Sequence, residues 1–208
     1  VILEDSEKEN ILYLGTDTGL FISIDKGTSW QDFSNEIPSV AVHDLVIQPR
    51  VKDLIVATHG RSLYKVNISN IQQINEAINA KGIALFKIED IYLSKNWGNK
   101  SYTWGTENNP NVEIWYYSNK ETNGGIVILD SNKIPIFGSK LKISKGLHKV
   151  DYDLSIDEKT KTAIEKKDIK IKISQADNKK YYLPVGKYTV ELESNGKKEA
   201  QTIIIKER

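Results

Sequence analysis

The sequence predicts an all-β chain: the terminal blades of a β-propeller, then a short helical linker, then a β-sandwich of immunoglobulin size. Three observations predict it. Short β-branched and aromatic runs alternate with Gly- and Asp-containing turns from the first residue onward. A stretch near the start, "ILYLGTDTGLF" (11–21), returns as "LIVATHGRSLY" (54–64). Beyond residue 83 the runs continue with alternating polarity, and "NG" at Asn195-Gly196 carries the strongest short hairpin signal.

The first four strands are "VILE" (1–4), "ILYLG" (11–15), "LFISI" (20–24) and "WQDF" (30–33), separated by turns at "DTG" (17–19) and "DKG" (25–27). Next come "VHDLVIQP" (42–49), "DLIVAT" (53–58) and "SLYKV" (62–66). In the repeat, Thr16 maps onto Thr58, and Leu20 onto Leu63 with one residue inserted in the turn. A period of about 40–45 residues with four short strands is the size of a propeller blade. The first copy supplies four strands and the second only three. A propeller closes with about 4–8 blades, so residues 1–67 are expected to be the last one to two blades of an incomplete propeller. The missing sectors are expected upstream in a parent protein.

Residues 68–82 change period. Ile71, Ile74 and Ile78 have helical spacing, Ser69 with Gln72 forms a capping-box pattern, and Gly82 is a stop. Residues 83–208 supply "IALFKI", "VEIWYYS", "GIVILD", "HKVDYDL", "IKIKIS", "KYTVELES" and "EAQTIIIK". Seven strands at this spacing predict the sandwich. A charged connection at 156–168, "IDEKTKTAIEKKD", reads as helical.

The bulk numbers limit function. The 208 residues carry 29 Lys plus Arg against 28 Asp plus Glu, which argues against a nucleic-acid footprint. The chain has no Cys, so thiol catalysis, disulfides and Cys-ligated zinc are excluded. No apolar run approaches the ~18 residues of a membrane span. No cofactor and no metal are predicted.

The motif with the most constrained positions is "SIDKGTSW", Ser23 to Trp30. Asp25 can accept backbone N–H groups across a turn, Gly27 permits tight backbone, Ser23 and Ser29 can satisfy neighbouring polar groups, and Trp30 can bury an apolar face between blades. The stretch resembles the Asp-box of BNR-repeat β-propellers, a group that includes bacterial sialidases, xyloglucan-cleaving enzymes and sortilin-type receptors. In that family the box is a structural turn on the side away from the active site. "LYLGTDTGLFISIDKGTSWQDF" and "VHDLVIQPRVKDLIVATHGRSLYKV" are similar to the last blades of large secreted bacterial proteins of the sortilin-like or glycosyl-hydrolase BNR-repeat group. "NPNVEIWYYS", "GLHKVDYDLS" and "LPVGKYTVELESNGKKEAQTIIIK" resemble the immunoglobulin-like module that ends such chains. The resemblance implies a non-catalytic C-terminal portion that binds or scaffolds in the bacterial cell envelope or outside the cell. Its partners would be the remaining propeller and a glycan or envelope protein. It also leaves open a glycoside hydrolase whose catalytic residues lie mostly upstream, or a receptor-like module for protein or peptide.

Other residues have side chains that could carry chemistry. His59 and Arg61 flank Gly60 and could face an anionic ligand, since Arg binds carboxylates bidentately. His43 with Asp44 could transfer a proton. Glycosidases need two facing carboxylates; Glu4, Asp5, Asp17 and Glu36 are available, and nothing in the spacing pairs them. "EDSEKEN" (4–10) lacks the Gly and terminal Glu of a calcium loop. His148 has no ligand-spaced partner. In the Asn/Gly-rich stretch 96–111, Trp97 and Trp104 are the best candidates for stacking on a sugar.

Overall fold

The computed structural model describes residues 1–34 and 37–208. It is built mostly of strands and divides into two compact units, Val1–Ala80 and Lys81–Arg208.

In the first unit, β1 (Ile2–Glu4), β2 (Leu12–Thr16), β3 (Gly19–Ser23) and β4 (Gln31–Asp32) form one antiparallel meander in chain order. A second meander holds β5 (Val42–Gln48), β6 (Asp53–Thr58) and β7 (Leu63–Asn67). Alternation decides which side chains go inside: Ile11 and Tyr13, then Leu20 and Ile22, then Leu54 and Val56 are all buried. The two meanders meet where β2 passes β5. A Cβ on Gly15 would lie 2.5 Å from Val42 Cγ1 and 2.7 Å from Val1 Cγ1, so only glycine allows this approach.

The expected single helix at 68–82 is two pieces. A 3-10 turn spans Ile71–Gln73, Ile74 is extended (ψ 121°), and α1 (Glu76–Lys81) follows. Packing explains the break, because Ile68, Ile71 and Ile74 are all buried in the first unit. The Ser69–Gln72 capping box does not form. Asn70 is the cap position and makes no side-chain cap bond, Gln73 Nε2 donates to the Ser69 carbonyl, and the Asn75 side chain accepts from Ile78 N. Gln72 is used elsewhere, on Asp5.

In the second unit the elements are β8 (Ile83–Leu85), β9 (Ile91–Tyr92), β10 (Val112–Ser118), β11 (Thr122–Leu129), β12 (Pro135–Ile143), β13 (Gly146–Tyr152), β14 (Ser155–Ile156), α2 (Glu158–Lys167), β15 (Tyr181–Tyr182), β16 (Gly186–Ser194) and β17 (Lys197–Lys206). One sheet runs β13-β10-β8 and the other β12-β11-β16-β17-β9; β14 and β15 form a small separate pair. Every pairing is antiparallel except β17 with β9. One apolar cluster joins residues of both larger sheets, among them Ile114 and Tyr116 of β10, Ile126 and Ile128 of β11, and Val190 and Leu192 of β16. The two-residue turn between β16 and β17 places Asn195 at φ 49° and Gly196 at φ 74°, the paired left-handed geometry that an Asn-Gly hairpin needs.

Two expectations are corrected here. "IKIKIS" (169–174) is not a strand; it follows α2 as a turn and extended chain, with Ile169 exposed, Ile173 buried and Ile173 N bonded to Glu165 Oε1. Conversely, β12 is a nine-residue strand at the sheet edge that the sequence pattern does not signal. Its Pro135, Gly138, Ser139 and the alternating Lys140 and Lys142 fit an edge, where one side needs no ladder bond.

Candidate functional site

Each unit carries its own candidate groups. In the first, Ser23 to Trp30 forms the turn between β3 and β4. Asp25 is its hub: one carboxylate oxygen accepts from Ser23 Oγ (2.8 Å) and Ser29 N (2.8 Å), the other from Ser29 Oγ (2.5 Å). Ser23 Oγ in turn accepts from Gly27 N at 2.8 Å. Lys26 at φ 57° and Gly27 at φ 84° make two successive left-handed residues, a conformation the Asp25 bonds hold in place. The turn is tied to its neighbour through Lys26 N to Asn10 O and Asn10 Nδ2 to Ile24 O. These groups are occupied in holding backbone, which is a structural use. Trp30 is less buried than expected: the residue is 37% exposed, and its Cζ2 lies beside Gly27, 3.8 Å from where a Cβ there would stand.

Asp5 is not a solvated loop acid. It is 3% exposed and accepts from Glu7 N, Lys8 N, the Tyr13 hydroxyl at 3.0 Å and Gln72 Nε2 at 3.0 and 3.1 Å. Burial, with the Asp5 charge and hydrogen bond, pushes the Tyr13 hydroxyl far above the ordinary tyrosine range. Tyr13 therefore stays a donor at any physiological pH. Glu4 and Asp17 are exposed, and Glu36 lies outside the described residues.

His59 and Arg61 sit in the turn between β6 and β7, both exposed. The turn is tight: Gly60 has φ 70°, Ser62 has φ 91°, and Thr58 Oγ1 donates to the Ser62 carbonyl at 2.7 Å. Tertiary structure adds His43, which the sequence placed sixteen residues away. Its ring centre lies 5.0 Å from that of His59. Arg61 makes no ion pair among the described residues.

In the second unit, loop 96–111 separates its two tryptophans. Trp97 is 8% exposed, belongs to the apolar core and packs on Tyr182. Its ring is therefore packed in the core, next to Gly98, which is bonded to Asn108 and Asn178. Trp104 is 85% exposed and stacks on Tyr102, ring centres 5.3 Å apart and planes 12° apart. The loop is held by an isolated antiparallel backbone β-bridge between Lys100 and Glu107, by Asn108 N to Asn99 O and by Gly105 N to Tyr102 O. His148 Nε2 contacts the Lys145 carbonyl at 3.0 Å and its ring packs near Tyr116.

Sequence reasoning missed one further feature, a shallow depression of about 390 Å³ between α2 and β12, lined by Phe137, Ala163, Ile164, Asp130, Lys159 and Lys167 among others. Burial pushes the Asp130 carboxyl up, but the Lys167 ammonium and the backbone N–H groups of Ile134 and Asn132 outweigh it and hold it below the ordinary range. The sequence gives no signal for the depression, because it gives none for β12.

No family model matches the chain, and no curated protein matches it significantly. Among the described residues, no group of three or more His, Asp or Glu is placed to hold a metal ion. No helix of the described residues is long and apolar enough to cross a membrane.

Proposed function

We propose that this chain is the non-catalytic C-terminal portion of a large secreted bacterial Asp-box propeller protein, acting in binding and scaffolding at the cell envelope or outside the cell. The observation that carries the reading is the pairing of two successive meanders with unequal strand counts. In the first, β4 covers the outer edge of β3. In the second, β7 corresponds to β3 in the repeat and, among the described residues, is paired on one side only, by β6. Its open row of N–H and C=O groups is the place for a fourth strand. A ring of blades closes when another part of the parent fills that place.

The second unit reads best as an immunoglobulin-like sandwich. Three features support this: the β13-β10-β8 and β12-β11-β16-β17-β9 orders, the parallel β17–β9 pair at one edge, and the Tyr188 hydroxyl donating back to the Pro184 carbonyl at 2.8 Å.

Hydrogen exchange tests the ring. In the parent protein the amides of Leu63–Asn67 that face away from β6 should exchange at least tenfold more slowly than in the isolated 208-residue chain. Equal exchange in both contexts contradicts strand completion.

A binding role needs a contact surface, and we assign it to Tyr102–Trp104. Two stacked rings that stay exposed offer a flat apolar face with a polar surround of Ser101, Thr103 and Thr106, all exposed. That is the chemistry that takes the C–H face of a pyranose ring. Two rings cover far less than the ~800 Å² per partner of a stable protein interface, so a sugar fits better than a protein. Titration with cellohexaose and chitohexaose should shift tryptophan emission, and Trp104→Ala should weaken that response at least tenfold while leaving stability within about 0.5 kcal/mol. An unchanged response in Trp104→Ala removes the assignment.

A further inference from the structure

We propose that His43 and His59 form a binding site for a borderline divalent transition metal such as Zn²⁺, with water completing the coordination. The site is separate from the ring and glycan readings and rests on neither.

Two local features bring the imidazoles together. The pairing of β5 with β6 runs Val42 to Thr58 and then Asp44 to Ala57, so His43 is skipped at a bulge. A bulge bends its strand and re-aims the extra side chain. His59 is fixed from the other side: its N–H bonds to the Ala41 carbonyl at 2.9 Å, and the turn that follows is pinned by Thr58 and contains the left-handed Ser62. A non-glycine residue held at φ 91° costs energy that the surroundings must offset. The backbone positions of both residues are therefore fixed by the bulge and by the bonded turn.

The spacing fits a shared ligand. A Zn²⁺ about 2.0–2.1 Å from one nitrogen of each ring stands about 3.2 Å from each ring centre, so a tetrahedral angle places the centres about 5.2 Å apart and a right angle about 4.5 Å. The observed separation is 5.0 Å, with planes inclined by 33°. Both rings are exposed, so a metal can reach them, and imidazole nitrogen suits Zn²⁺, Cu²⁺ and Ni²⁺ more than Ca²⁺ or Mg²⁺. With two protein ligands, the affinity falls well below that of a closed four-ligand structural site, and the remaining positions stay open to exchangeable ligands. Binding ties the β5 bulge to the β6–β7 turn.

The experiment is calorimetric titration of the full chain with Zn²⁺, repeated with Mg²⁺. We expect one Zn²⁺ per chain and no heat with Mg²⁺. His43→Ala and His59→Ala should each weaken Zn²⁺ binding at least tenfold, and the double variant should weaken it no further. His148→Ala, which removes the only other histidine, should leave it unchanged. Far-ultraviolet circular dichroism identical to that of the unmodified chain keeps the variants interpretable, and His43→Asn with His59→Gln provides a second pair that retains polarity. Absence of Zn²⁺ binding, a weakening of less than tenfold in either single variant, or dependence on His148, overturns the site.

Discussion

Replacing Asp5 with Ala is expected to destabilise the first unit by about 2–5 kcal/mol, since each buried donor left without an acceptor costs about 1–3 kcal/mol. Two such donors lose their partner: the Tyr13 hydroxyl, on a side chain with no solvent exposure, and Gln72 Nε2, on a side chain 4% exposed. Glu7 N and Lys8 N lose theirs too but lie closer to water, which can replace the bond. Relief from burying a carboxylate lowers the total and keeps it out of the upper part of the summed range. The loss should also free the linker, because Gln72 lies in the 3-10 turn and Asp5 in the loop after β1. Denaturant unfolding, with amide exchange at Leu12–Thr16 as the local probe, reads both effects. Tyr13→Phe removes one donor along with its need for an acceptor and should cost about 1 kcal/mol. An Asp5→Ala variant as stable as the unmodified chain would show that the cluster contributes nothing.

The second large effect belongs to the Ser23–Trp30 turn. Asp25→Ala removes the acceptor for three donors at once and releases two successive left-handed residues. Hydrogen bonds to a charged acceptor contribute about 1.5–3 kcal/mol each, less where water can substitute, so a loss of about 2–4 kcal/mol is expected. The strand nearest the turn should suffer first: β4, only two residues long, is registered by Phe21↔Asp32 and Ile22↔Gln31. Asp25→Asn keeps one acceptor oxygen and should lose roughly half as much. If the turn had a chemical role instead of a structural one, Asp25→Ala would leave unfolding unchanged and alter only ligand response.

Much of the architecture is legible in the sequence. The β2, β3, β5, β6 and β7 strands follow alternation and turn chemistry, and the β16–β17 hairpin follows from Asn195-Gly196. The helix α2 follows from a charged segment behind Asp157, whose carboxylate caps it through Thr160 N. Three features were not legible, each for its own reason. "IKIKIS" alternates like a strand, but alternation supplies only a face and no neighbouring strand claims it. The linker has helical spacing, yet burying Ile71 and Ile74 in the first unit takes precedence over continuous helix. Trp97 and Trp104 read alike as aromatics in one polar loop, and only the path of the chain puts one in the core and the other in solvent.

The sequence by itself determined that this chain is mostly strand, where β2 turns into β3 and β16 into β17, and which residues occupy the Ser23–Trp30 turn. Those are properties of short stretches, set by side-chain period and by what Gly, Asp and Asn permit the backbone to do. Only the tertiary structure decided that Asp5 meets Gln72, that His43 meets His59, and that Trp104 stays outside while Trp97 goes in. Such meetings join residues far apart in the chain, and their positions depend on how whole sheets stack and on a one-residue bulge that no local pattern encodes.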